Sequence, residues 1–224
     1  MVLHPSGGGL GQYVGLMASL ARRGTVHGIR ACGLRAHEVP DTSVAAMVER
    51  YLPLLRELPH PPDLLIGWSL GGVLAWELAS ALASQGHFPA VVMLDSFAEP
   101  WGVCADDSGR RTVLEKIVEG GLPGDDDPAA YARLIETATA HVMASAAHRV
   151  REPYAGPALL MPCDGPEQRR QIHSWSRWSS RLTVAPLACD HFSLFERENF
   201  RVILRNVGEF LSECRTGREC GMNS

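Results

Sequence analysis

A serine, a histidine and two aspartates stand just past strand candidates, where nucleophilic chemistry on a carbonyl could be assembled. Ser69 lies in Gly67-Trp68-Ser69-Leu70-Gly71-Gly72, after the apolar run at 64–66 and before a helical pattern at 73–83. Glycines on both sides allow a strand to turn into a helix within a few residues, which pushes the serine to the top of a sheet with its Oγ exposed. A serine hydroxyl is a weak nucleophile and needs a base. Of nine histidines, His191 alone follows the last strand candidate and precedes the last helix, the place of the base in the chain order Ser…Asp…His. His27 reads as a strand residue, and His60, His87, His141, His148 and His173 as loop or helix-surface residues. The orienting acid is Asp95, after the run at 90–94, or Asp164, after the run at 158–162. Asp164 has a ready local role, because Asp164-Gly165-Pro166 is a turn sequence whose carboxylate could cap the next helix. Asp95 could serve as an N-cap or turn aspartate but lacks so ready a local role and is favoured; Asp190, beside His191, can hardly reach its ring.

The same chemistry needs donors for an oxyanion. The helix start after Ser69 offers the Leu70 N–H and a positive dipole end. A second donor is expected from the loop after an early strand, here His4-Pro5-Ser6-Gly7-Gly8-Gly9, which assigns the Ser6 N–H. Neither a G-x-G-x-x-G spacing nor a P-loop lysine is present there, so dinucleotide and phosphate readings fail. The plainer alternative for both stretches is a glycine-rich turn that only starts a helix.

The elements that must position these residues alternate. Strand candidates fall near 2–3, 25–30, 64–67, 90–94, 158–162 and 182–187, and helical patterns near 12–23, 43–58, 71–85, 166–178 and 197–214. That succession predicts an α/β fold, a mostly parallel central sheet with helices on both faces, formed by residues 1–224 as a single domain. Pro53 should kink or split the second helix. Residues 97–149 interrupt the alternation with helical patterns at 112–119 and 128–148, joined by an acidic, glycine-rich stretch at 120–127. Such an insertion at the active edge is a candidate helical lid. Asp127-Pro128 marks the second lid helix as N-cap and N1.

Composition narrows the function classes. The net charge is −4, and a single lysine, Lys116, stands among 21 basic residues spread without a block, which argues against nucleic acid. Six cysteines without a C-x-x-C pair suggest neither a disulfide framework nor a metal site. No apolar run reaches membrane-spanning length, so no membrane partner and a cytoplasmic location are expected. No cofactor-binding motif is found.

With these pieces assembled, the sequence resembles the thioesterase domains that end nonribosomal peptide and polyketide synthases. The likeness is carried by His4-Pro5-Ser6-Gly7-Gly8 followed by Tyr13, by Ile29-Arg30-Ala31-Cys32-Gly33-Leu34, by Gly67-Trp68-Ser69-Leu70-Gly71-Gly72, by Leu94-Asp95-Ser96 and by Asp190-His191-Phe192. Cys189 stands where a glycine is common. The resemblance implies an α/β-hydrolase fold with a helical lid and the acid at Asp95. It also implies an acyl or peptidyl chain arriving as a thioester on the phosphopantetheine arm of a carrier protein. The expected activity is release of that chain, by hydrolysis or cyclisation, through a Ser69-His191-Asp95 triad. The alternatives are a stand-alone editing thioesterase, a transacylase or esterase on small acyl substrates, and a non-catalytic binding protein that kept the hydrolase shell.

Overall fold

The strands are short apolar runs covered on both faces, and alternate side chains of each enter one of two cores. The computed structural model describes residues 1–120 and 127–221. In chain order these form β1 (Val2–Leu3), α1 (Val14–Leu20), β2 (Gly28–Ile29), α2 (Val44–Arg56), β3 (Leu64–Trp68), α3 (Leu70–Ala83) and β4 (Ala90–Leu94). There follow α4 (Asp107–Gly120), α5 (Pro128–Ala147), β5 (Ala158–Met161), α6 (Gln168–Ser176), β6 (Leu182–Val184) and α7 (Arg197–Gly221). On one face Leu3, Leu65, Val91, Met93 and Leu160 pack against α2, α3 and α6, where the Trp76 and Trp175 rings meet at 4.8 Å. On the other face Val2, Ile66, Val92, Leu94 and Met161 pack against Leu16 of α1 and Ile203, Val207 and Phe210 of α7. Full burial of one such aliphatic side chain contributes roughly 1.5–3 kcal/mol, so the period-two alternation fixes which face each residue takes.

All six described strands pair in parallel, in the order β2-β1-β3-β4-β5-β6. The connection from β1 leads outward to β2, whereas the connection from β3 leads the opposite way to β4. The loops leaving the C-terminal ends of β1 and β3 therefore diverge and leave a crevice between them, the place where open α/β sheets bind ligands. The residues bordering that crevice are those after Leu3 and those around Ser69.

The α/β succession with a parallel sheet and two helical layers is as expected from the sequence. Three local expectations change. Pro53 does not split α2, which runs through it to Arg56. The proline begins the last turn, so the helix gives up the one bond its missing N–H would make to the Glu49 carbonyl, and only three residues follow it to Arg56. His27 precedes β2 rather than lying in it, and its carbonyl accepts from Val2 N–H at 2.8 Å. The first helix of the 97–149 insertion begins at Asp107, earlier than its apolar pattern suggested. The second starts as read, with the Asp127 carboxylate accepting from Ala130 N–H at 2.9 Å. Of the glycine-rich joint at 120–127, residues 121–126 lie outside the described residues. Among the described residues no helix is long and apolar enough to cross a membrane.

Candidate active site

Ser69 sits between β3 and α3 with φ 56° and ψ −123°. A non-glycine residue with positive φ is strained, and the surroundings hold it there. Its own N–H donates to Leu94 O on β4 at 2.9 Å, and Tyr13 Oη receives the Trp68 N–H at 2.7 Å. The flanking glycines are required by space: a Cβ on Gly67 would lie 2.1 Å from the Gly71 carbonyl carbon, and one on Gly71 2.5 Å from Leu3 O. Strand, turn and helix thus interlock at backbone distance.

Asp95 directly follows β4 and also has positive φ, 43°. Its N–H is held by Met161 O at 2.9 Å. Its carboxylate is nearly surrounded by donors. Oδ1 accepts from Cys163 N–H at 2.9 Å and from Gln171 Nε2 at 3.0 Å, while Oδ2 lies 2.7 Å from His191 Nδ1. Burial pushes the carboxyl pKa up, but the hydrogen bonds from His191, Cys163 and Gln171 outweigh it and leave it below the usual value. Because a carboxylate only accepts, His191 Nδ1 carries the proton, which leaves Nε2 as the basic nitrogen. Asp164, by contrast, is exposed and turns its carboxylate to Gly165 N–H at 3.0 Å. Asp190 receives Phe192 N–H and Ser193 N–H and stays within its own loop.

The His191 ring lies between Trp68, at 5.0 Å, and Trp101, at 4.7 Å, with Phe192 edge-on at 5.0 Å. Ser69 and His191 line one cavity of about 820 Å³, together with Ser6, Gly7, Leu34, Trp68, Phe192 and Phe195. Val113, Lys116 and Ile117 of α4 and Leu134 of α5 cover it from the insertion side. Ser69 Oγ makes no hydrogen bond to His191 among the described residues. Apo geometry of this kind commonly tightens only with substrate bound.

Ser6 begins the glycine-rich loop and is buried. Among the described residues neither its N–H nor that of Leu70 has an acceptor. Ser6, Ser69 and Leu70 meet around a small void of about 20 Å³. Under the loop lie two fully buried histidines stacked at 5.1 Å, His4 and His141. His4 Nδ1 donates to Pro5 O at 2.9 Å, and His141 Nδ1 donates to Ser6 O at 3.0 Å. His141 is therefore not the surface residue its sequence context suggested. It points inward from α5, where the bond from Nδ1 to Ser6 O offsets part of the cost of burying the ring. Sequence reasoning also missed Gln171 and Trp101, whose partners are 76 and 90 positions away in the chain and leave no local pattern.

Among the described residues no group of His, Cys, Asp and Glu is placed to hold a metal ion. Cys163 and Cys189 are free thiols with their sulfurs 3.7 Å apart.

The thioesterase domain family model matches residues 1–211. A malpibaldin synthetase from Mortierella alpina is 37% identical over 129 residues, 54% of this chain but 2% of that protein's length. The thioesterase domain of NocB from a nocardicin cluster superposes with a TM-score of 0.74 at 23% identity, covering 94% of this chain and 91% of that one. BorB, a type II thioesterase from a borrelidin cluster, gives 0.75 at 22% identity, with 93% and 90% covered.

Proposed function

This chain belongs to the thioesterase domain family, and on that premise we propose that it is a serine thioesterase acting on an acyl or peptidyl chain held by a carrier protein. The chain is delivered as a thioester on the carrier's phosphopantetheine arm. Ser69 Oγ attacks the thioester carbonyl while His191 Nε2 takes its proton, and Asp95 holds the imidazole in that tautomer and stabilises the imidazolium. The N–H groups of Leu70 and Ser6 receive the oxyanion, each such donor being commonly worth about 10² to 10³ in rate. His191 then returns the proton to the departing thiolate. In the second half-reaction water, or a nucleophile within the bound chain, attacks the acyl-Ser69 ester. These roles use side chains and backbone only, and no cofactor or metal is invoked. We read α4 and α5, within 97–149, as the lid over this site, and assign the reaction to the cytoplasm, which suits free thiols.

The observation that carries this reading is the 2.7 Å contact between Asp95 Oδ2 and His191 Nδ1, on the same cavity as a serine held at positive φ. That the Ser6 and Leu70 N–H groups have no acceptor among the described residues supports the oxyanion assignment. Carrier proteins loaded with acyl-phosphopantetheine, followed by intact mass, test the reading. Wild-type protein is expected to discharge the carrier with release of a free acid or a ring, and Ser69→Ala to stay at the uncatalysed rate. Comparable discharge by Ser69→Ala would overturn it.

A further inference from the structure

A residue's φ and ψ describe how its two flanking peptide planes are set, so whatever holds both planes holds the residue. At Ser6 each plane is gripped by a buried imidazole. His4 bonds Pro5 O, the carbonyl of the peptide that carries the Ser6 N–H. His141 bonds Ser6 O, the carbonyl of the next peptide. A carbonyl only accepts, so both rings carry a proton on Nδ1. His4 Nε2 is then the lone-pair nitrogen that accepts the Tyr51 hydroxyl at 2.7 Å. In a trans peptide C=O and N–H point opposite ways, so a grip on Pro5 O turns the Ser6 N–H away from His4.

The loop has a turn of its own, with Gly8 N–H donating to Pro5 O at 2.8 Å and Gly8 O accepting from Ala31 N–H at 2.9 Å, but among the described residues His141 alone bonds Ser6 O. The two grips also come from different parts of the fold. His4 continues β1, whereas His141 belongs to α5, one of the two helices over the cavity. His141 Nε2 is buried with no hydrogen-bond partner among the described residues, a feature that costs stability. Packing alone would be better served by an apolar side chain there. What the histidine adds is its Nδ1–H on Ser6 O.

We propose that His141 is a positioning residue that ties α5 to the oxyanion loop, so that the Ser6 N–H is aimed at the reacting carbonyl while that helix is docked. The inference rests on the reading of Ser6 as an oxyanion donor. An oxyanion exists only in the transition state and intermediate, so loosening its donor lowers kcat and leaves substrate binding alone.

Three variants assayed on a soluble acyl thioester separate this role from packing. His141→Leu fills most of the space without a donor, His141→Asn puts an amide N–H where Nδ1 was, and His141→Gln puts it near Nε2. The expected result is a kcat lowered about 10- to 100-fold in His141→Leu with KM within about 2-fold, a part of what full loss of a donor costs. His141→Asn is expected to recover kcat to within about 3-fold of wild type despite its smaller volume, and His141→Gln not to recover it. Should His141→Leu fail to fold, the Asn against Gln comparison carries the test. A kcat in His141→Leu within about 2-fold of wild type, or Gln equal to Asn, would overturn the proposal. Ser69→Ala is run alongside. If Ser69→Ala keeps turnover, the reading of the site fails and takes this proposal with it. If Ser69 is essential and the His141 variants do not divide as stated, only the coupling fails.

Discussion

Asp95→Asn is the substitution whose effect can be worked out most fully, because the surroundings dictate which way the new amide must face. Oδ1 of Asp95 receives two donors, Cys163 N–H and Gln171 Nε2. Only the amide oxygen of an asparagine can occupy that place. The NH₂ is then forced into the position of Oδ2, 2.7 Å from His191 Nδ1. It donates there, so Nδ1 becomes the acceptor and the ring proton moves to Nε2. A His191 protonated on Nε2 cannot take the proton of Ser69. The geometry stays close to wild type while the base is lost, a change that costs about 10⁴ in kcat in a serine triad, or about 5.5 kcal/mol of transition-state stabilisation. Steady-state turnover of an acyl thioester, with circular dichroism to show an intact fold, measures it. Asp164→Asn is the control, since among the described residues its carboxylate serves only Gly165 N–H, and it is expected to stay within about 2-fold of wild type. Asp95→Asn within about 10-fold of wild type, or the large loss appearing in Asp164→Asn instead, would refute the tautomer argument.

Burial holds the pKa of His4 down to about 3 and that of His141 to about 4. Below the unfolded value near 6.5 the unfolded chain takes up protons that the folded one refuses. Stability is thus complete above pH 6.5 and is lost as pH falls toward those values, by up to about 1.4 kcal/mol per pH unit for each histidine. Urea midpoints at pH 7 and pH 5 should show this loss, and His141→Asn should lose less by one histidine's share; equal slopes would contradict it. Gly67→Ala sets a Cβ 2.1 Å from the backbone of Gly71, and it should lower stability by more than about 3 kcal/mol or prevent soluble accumulation. Gly24→Ala, with nothing within 4 Å, should keep the wild-type melting temperature to within a few degrees; equal melting of the two variants would count against the interlocked turn. Hydrogen exchange followed by mass spectrometry should find α4 and α5 less protected than β3 and β4, as a lid requires. Protection equal to that of the central strands would argue for a fixed cover.

The fold was legible because its signals are local. Short apolar runs at 64–66, 90–94 and 158–162 declare buried strands, and the glycines flanking Ser69 announce a turn of strand into helix within a few residues. Chain order against sheet order was not legible: nothing near Val2 says that it lies between Gly28 and Ile66. For the site, the positions of Ser69, Asp95 and His191 could be named from their places after strands, although the choice between Asp95 and Asp164 leaned on what each could do locally. The side chains that aim those groups were invisible. Gln171 bonds Asp95 across 76 positions and His141 bonds Ser6 across 135, and neither leaves a spacing rule in the sequence. On its helix His141 reads as an ordinary polar residue among alanines and threonines. Its burial follows from a carbonyl that only the folded chain brings beside it.

The central claim is that Ser69 is an activated nucleophile, and covalent capture tests it without knowledge of the acyl chain. Protein treated with a fluorophosphonate bearing an alkyl chain, then weighed intact and mapped by peptide mass, should carry one phosphonyl group on the peptide containing Ser69. Ser69→Ala should carry none, and His191→Ala should label far more slowly. Wild-type protein that remains unmodified, or an adduct of equal yield in Ser69→Ala, would contradict the account and favour a hydrolase-like shell that binds without reacting.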